Sequence, residues 1–106
     1  MGEEVELTVV TLTFDARDES LERLLAALAK YVVLARGHEG CRNIDLVASV
    51  TQRGRLLLVE KWDSPAAQRA HFDSPDMVEL AQACAELLSA PPVVDLWEGL
   101  SAHDLA

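Results

Sequence analysis

The run V-E-L-T-V-V-T-L-T-F, Val5 to Phe14, places apolar side chains on one parity first (Val5, Leu7, Val9) and then on the other (Val10, Leu12, Phe14). Successive side chains on a strand point to opposite faces, so this run predicts a strand covered on both sides. A second run of the same character, R-L-L-L-V-E-K-W, spans Arg55 to Trp62. Between them Cys41 to Thr51 alternates Ile44, Leu46, Ala48 and Val50 against Asn43, Asp45, Ser49 and Thr51, which is strand periodicity with one apolar face. Q-R-G-R then makes a turn too short for a crossover, so the second and third strands are antiparallel.

Helical spacing fills the gaps between the strands. D-A-R-D-E-S supplies a turn and a cap, with Asp18 the expected cap residue. Leu21, Leu24, Leu25, Leu28, Val32 and Ala35 follow as an amphipathic stripe that Gly37 stops. After the third strand, D-S-P occurs twice, at Asp63-Ser64-Pro65 and Asp73-Ser74-Pro75. A Ser hydroxyl accepts from unpaired helix amides, and Pro at the first helical position needs no donor, so two helices start here. The first is short and carries His71 in its last turn. The second places Met77, Leu80, Ala81, Cys84, Leu87 and Leu88 on one face, and Pro91-Pro92 ends it before a closing strand, V-V-D-L-W-E.

The order strand, helix, strand, strand, helix pair, strand predicts one domain over residues 1–106, with its core from about 5 to 99. Its class is α+β: a ferredoxin-like split βαβ with a four-stranded antiparallel sheet and helices on one face. The other face would be a bare apolar sheet of a size that monomers rarely expose, and a second copy is its expected cover. Two sheets face to face make a dimeric α+β barrel, each subunit keeping a pocket between its own sheet and helices.

Charge narrows the partners. Eighteen acids against nine bases give a net charge of −9, which works against nucleic acid and anionic membrane surfaces. No apolar run has the length to span a bilayer and the first residues lack a leader pattern, so a cytoplasmic location is expected. Cys41 and Cys84 have no C-x-x-C spacing and read as small core hydrophobes. His38 and Cys41 form an H-x-x-C pair without the further ligands a metal site needs, so no metal is expected. Phosphate-cradling loops, a P-loop and a nucleophile elbow are all absent from the sequence.

The segments H-E-G-C-R-N-I-D-L and L-L-L-V-E-K-W-D-S-P-A-A-Q-R-A-H-F-D-S-P resemble the antibiotic biosynthesis monooxygenases, small dimeric α+β barrel proteins that include quinol and polyketide oxygenases. The matching features are the Glu39-Gly40-Cys41 turn, Glu60-Lys61-Trp62 at the end of the third strand, and Ala67 to His71. The resemblance covers about residues 5 to 99. It implies oxidation of a hydroxylated aromatic, quinol or polyketide-type substrate by O2 without a cofactor, in a homodimer. The chain departs from the family at Ser74-Pro75-Asp76-Met77, where many members have a second histidine. Haem degradation on this fold uses a first-strand Asn, and this chain has none.

His71 is the first candidate catalytic residue. At a helix C-terminus it is expected to favour imidazolium and steady a substrate anion, or else to bond the last free carbonyls of its helix. Glu60 shares a strand face with Trp62. It is expected either as a base of raised pKa or as the partner of an arginine such as Arg36 or Arg42. Trp62, Phe72 and Trp97 are the expected ligand walls, with a place in the core the other role open to Trp62 and dimer packing the other role open to Trp97. His38 and His103 have no supporting constellation. Two other functions fit the same fold: a non-catalytic small-molecule-binding dimer, and an isomerase of a small phosphorylated signal molecule, for which the sequence shows no cluster of pocket basics.

Overall fold

The computed structural model describes residues 7–100, so the expected strand start at Val5 and the tail carrying His103 lie outside the described residues. The elements run β1 (Thr8–Asp15), α1 (Leu21–Ala35), β2 (Cys41–Ala48), β3 (Arg55–Trp62), α2 (Pro65–Phe72), α3 (Pro75–Cys84) and β4 (Val93–Glu98). The four strands form one antiparallel sheet in the order β2-β3-β1-β4. This is the expected ferredoxin-like α+β arrangement.

Register decides which residues meet the helices. Val10 lies opposite Glu60, Leu12 opposite Leu58 and Phe14 opposite Leu56, while Ile44 faces Glu60 from β2. These residues share one sheet face and are buried, together with Leu24, Leu28, Tyr31, Val32 and Ala35 of α1. Full burial of a side chain such as Leu28 contributes about 1.5–3 kcal/mol, so this layer is the main source of stability. Glu60 sits in the middle of it.

The opposite parity forms the second sheet face, where Val9, Thr11, Leu57 and Val59 are half-buried and Val93 and Trp97 exposed. All six residues of β4 are exposed. No helix among the described residues covers that face.

Several boundaries differ from the sequence expectation. Ser20, not Asp18, precedes the first turn of α1, and its side chain makes no cap bond. β2 ends at Ala48, where its pairing with Leu56 stops, so Val50 is fully exposed instead of joining the apolar face. α3 ends at Cys84 rather than at Leu88. The chain there turns back to the end of β1: Arg17 N donates to Leu87 O and Ser89 N to Asp15 O, each at 2.9 Å. Those bonds take the backbone out of the helix while keeping Leu87 and Leu88 buried. The two Ser-Pro starts also differ, because Ser64 accepts from Ala67 N at 3.1 Å whereas the buried Ser74 hydroxyl has no partner.

Candidate active site

Glu60 is fully buried, and a bare carboxylate there would be costly. Its partners are side chains of its own layer. Trp62 Nε1 donates to Oε1 at 3.0 Å, and the Tyr31 hydroxyl lies 2.5 Å from Oε2. The same hydroxyl is 2.6 Å from His71 Nε2, and the other nitrogen of that ring, Nδ1, is 3.0 Å from His38 Nδ1. His38 Nε2 in turn lies 2.7 Å from Asp76 Oδ2. The Trp62 indole stacks on the His71 ring, with centroids 4.5 Å apart. Six side chains from β3, α1, α2, α3 and the turn before β2 thus form one hydrogen-bonded line.

Burial sets the protonation of this line. It raises the Glu60 pKa above the ordinary carboxylate value, against the opposing hydrogen bonds from Tyr31 and Trp62. It lowers the His71 pKa to about 4, helped by the neighbouring His38 and opposed by Asp76. Tyr31 is raised by burial and then by Glu60, so its phenol keeps its proton. His71 is therefore a neutral imidazole near pH 7, not the imidazolium expected from its helix position, because desolvation outweighs the helix dipole.

Other expectations also change. No arginine pairs with Glu60: Arg36 donates to Ile44 O at 2.7 Å, and Arg42 bonds Asp63 at 3.1 Å. His71 does not cap its own helix, since both ring nitrogens are engaged by other elements and the end of α2 is closed by the Asp73 and Ser74 amides. It is also buried, at 2 % exposure. His38, expected to stand without a constellation, joins this one. Tyr31 was missed altogether, although its spacing from Leu24, Leu28 and Ala35 puts it on the buried stripe.

Beside this line lies a cavity of about 530 Å³ between the sheet and the α2–α3 pair, walled by Leu12, Phe14, Phe72, Met77, Leu80 and Val94. No charged residue lines it, and its polar side chains are Ser89 and the Cys84 thiol, which burial keeps protonated. Phe72 lies in the wall, as expected. Trp62, Glu60 and His71 do not line it and are buried among other side chains, and Trp97 is on the opposite sheet face with Nε1 donating to Thr11 Oγ1 at 2.8 Å. Among the described residues no cluster of His, Cys, Asp and Glu could hold a metal ion. Among the described residues no helix is long and apolar enough to cross a membrane.

An open four-stranded sheet with helices on one face, an apolar cavity between them and a buried acid–phenol–imidazole line define a small α+β protein of ferredoxin-like topology. Residues 8–83 match the family model for antibiotic biosynthesis monooxygenases, and the chain belongs to that family. It is 32% identical over 85 residues to the "Putative monooxygenase Rv0793" of Mycobacterium tuberculosis, covering 80% of this chain and 83% of that protein. The solved structure of Rv0793 superposes with a TM-score of 0.84 at 29% identity, over 91% of this chain and 97% of the other. The "Putative monooxygenase YcnE" of Bacillus subtilis is 27% identical over 85 residues, 80% of this chain and 90% of that one. Two uncharacterized M. tuberculosis proteins, MT2634 and Rv2557, are 26% identical over 92 residues, 86% of this chain, which spans 40% of their length.

Proposed function

We propose that the protein is a cofactor-independent monooxygenase that oxidises a hydroxylated aromatic, quinol or polyketide-type substrate with O2. The observation that carries this reading is the uncharged apolar cavity, whose lining includes Phe72 and Met77, the chain neighbours of His71 and Asp76 in the buried hydrogen-bonded line. A cavity without charge offers water few hydrogen bonds and accepts fused aromatic rings, with Phe14 and Phe72 as flat walls. Once such a substrate loses a proton, its anion can pass one electron to O2, and recombination of the resulting pair forms the new C–O bond. For a ring methylene the balance is CH2 + O2 → C=O + H2O. Both electrons that reduce the second oxygen atom come from the substrate, so no external reductant is needed.

In this reading His71 and Glu60 handle the proton, with Tyr31 between them. Trp62 holds the Glu60 carboxyl and stacks on the His71 ring. A second copy covers the open sheet face and makes the homodimer, with Trp97 in the interface. The two free thiols, Cys41 and Cys84, suit a reducing cytoplasm. An isomerase of a phosphorylated molecule is the weaker reading, because no Lys or Arg lines the cavity.

The test is oxygen uptake with naphthalene and anthracene hydroquinones and anthrones, against matched autoxidation controls, for the wild type, His71→Ala and the cavity-filling Ala81→Phe. Saturable uptake that Ala81→Phe abolishes and His71→Ala reduces by tenfold or more is expected. Ligand binding in the cavity without uptake above autoxidation would replace the oxygenase reading by that of a binding module.

A further inference from the structure

The line from Glu60 to Asp76 crosses from the fully buried layer to the surface: Glu60, Tyr31 and His71 are at most 3 % exposed, while the His38 and Asp76 side chains are 26 % and 29 % exposed. We propose that it is a proton path, with His38 and Asp76 as its outer end, carrying a proton between the Glu60 carboxyl and solvent without opening the core. The proposal rests on the reading of this site as one that moves a substrate proton, and adds the route.

Donor and acceptor capacities fix the argument. At the inner end the Trp62 N–H can only donate, so Glu60 Oε1 accepts. At the outer end the Asp76 carboxylate accepts from His38 Nε2–H. Between these ends two arrangements satisfy every link. In the first, the Glu60 carboxyl donates to the Tyr31 oxygen, Tyr31 donates to His71 Nε2, and His71 Nδ1–H donates to His38 Nδ1. In this arrangement all groups except Asp76 are neutral. In the second, each of those three protons has moved one bond outward. Glu60 is then a carboxylate accepting from Tyr31, Tyr31 accepts from His71 Nε2–H, and His71 Nδ1 accepts from His38 Nδ1–H. His38 has become an imidazolium held by the Asp76 carboxylate.

The two arrangements contain the same number of protons. Passing from one to the other moves one positive charge from the buried carboxyl to the half-exposed imidazole, and each proton crosses a single hydrogen bond of 2.5 to 3.0 Å. Burial favours the neutral arrangement at rest, in agreement with the raised Glu60 and lowered His71 pKa values. Asp76 has a stated part: its charge stabilises the imidazolium that the second arrangement creates. Neither His38 nor Asp76 lines the apolar cavity, so both are positioning residues. Asp76 is the outer anchor of the path, its carboxylate 2.7 Å from His38 Nε2.

The experiment is 15N NMR of the imidazole nitrogens in 15N-histidine-labelled protein, with a His103→Gln variant to remove the third ring. At pH 7 the wild type should show neutral His71 protonated on Nδ1, with His38 protonated on Nε2. Glu60→Gln should keep this pattern, because the Gln amide donates to Tyr31 as the carboxyl does. As the pH is raised until Glu60 ionises, the His71 proton should move to Nε2 in the wild type, and should stay on Nδ1 in Glu60→Gln. A His71 tautomer that ignores both pH and residue 60 would overturn the path. This readout needs no turnover, so it stands whether or not oxygenase activity is found. Where turnover is measurable, Asp76→Ala should slow it several-fold, with added formate restoring part of the rate. A loss that formate leaves untouched would mean a merely structural Asp76.

Discussion

Tyr31→Phe is the substitution that the site constrains most tightly. The ring that packs among the α1 and sheet side chains remains, and one oxygen is removed. Two buried atoms share that oxygen, Glu60 Oε2 at 2.5 Å and His71 Nε2 at 2.6 Å. Each buried polar group left without a partner costs about 1–3 kcal/mol. A water molecule entering the vacated position recovers part of this, so a loss of about 2–4 kcal/mol is expected rather than the full sum. In urea unfolding at fixed protein concentration, with a slope of about 1–3 kcal/mol per molar, the midpoint should fall by roughly 1–2 M. The deficit should also grow with pH. The Glu60 pKa is raised in the folded state, so its contribution to stability is full below its unfolded value near 4.5 and is lost as pH rises through the folded one. The Tyr31 hydroxyl moderates that rise by donating to the carboxylate, and without it the loss on ionisation is larger. A change under about 0.5 kcal/mol, flat from pH 5 to 8, would mean that the hydroxyl bridges nothing and that the buried line is wrongly connected.

Three further outcomes follow from the same geometry. The folded His71 pKa of about 4 lies below its ordinary value of 6.5, so the unfolded chain binds the extra proton first between these values. Stability should therefore decline as pH falls from about 6.5 to about 4, by up to ~3 kcal/mol in all, and His71→Gln should flatten that slope in pH-dependent unfolding. Gly40 has φ +84°, and an added Cβ would sit 2.5 Å from Ala67 Cβ. Gly40→Ala should thus cost more than ~1 kcal/mol in thermal unfolding and shift the His38 imidazole signals, whereas Gly37→Ala, whose added Cβ meets Leu34 O at an ordinary contact of 3.5 Å, should do neither. Val59→Asp puts a charge at the centre of the open sheet face. Light scattering should report a monomer with native far-UV dichroism if a second copy covers that face, and an unchanged mass would remove the dimer from the proposal.

The sheet was legible because strand parity is a local signal: Leu56, Leu58, Glu60 and Trp62 had to share a face whatever the rest of the chain did. The site was legible only in part. Glu60, Trp62 and His71 stood out by residue type, but the partners that tie Glu60 and His71 to other elements are 29 to 40 positions away, and periodicity says nothing about which turn of one element meets which turn of another. Tyr31 had a usable signal in its place on the α1 stripe, hidden because an aromatic at helical spacing reads as ordinary core. His38 had none, since it sits in a turn. It reaches His71 because Gly40, without a side chain, lets that turn close onto Ala67 of α2.

The repeated D-S-P carries a further consequence for how one helical segment serves two compartments. His71 belongs to the buried line and the next residue, Phe72, to the cavity; Asp76 belongs to the line and the next residue, Met77, to the cavity. Adjacent residues on a helix point about 100° apart, so a helix end packed between line and cavity naturally gives one residue to each. Had the helix run unbroken, however, His71 and Asp76, five residues apart, would point roughly 140° away from each other, and both could not face His38. The break at Asp73-Ser74, with Pro75 restarting the helix, resets the phase. Closing it should separate the outer anchor from the inner ring while leaving each short helix as good a helix as before.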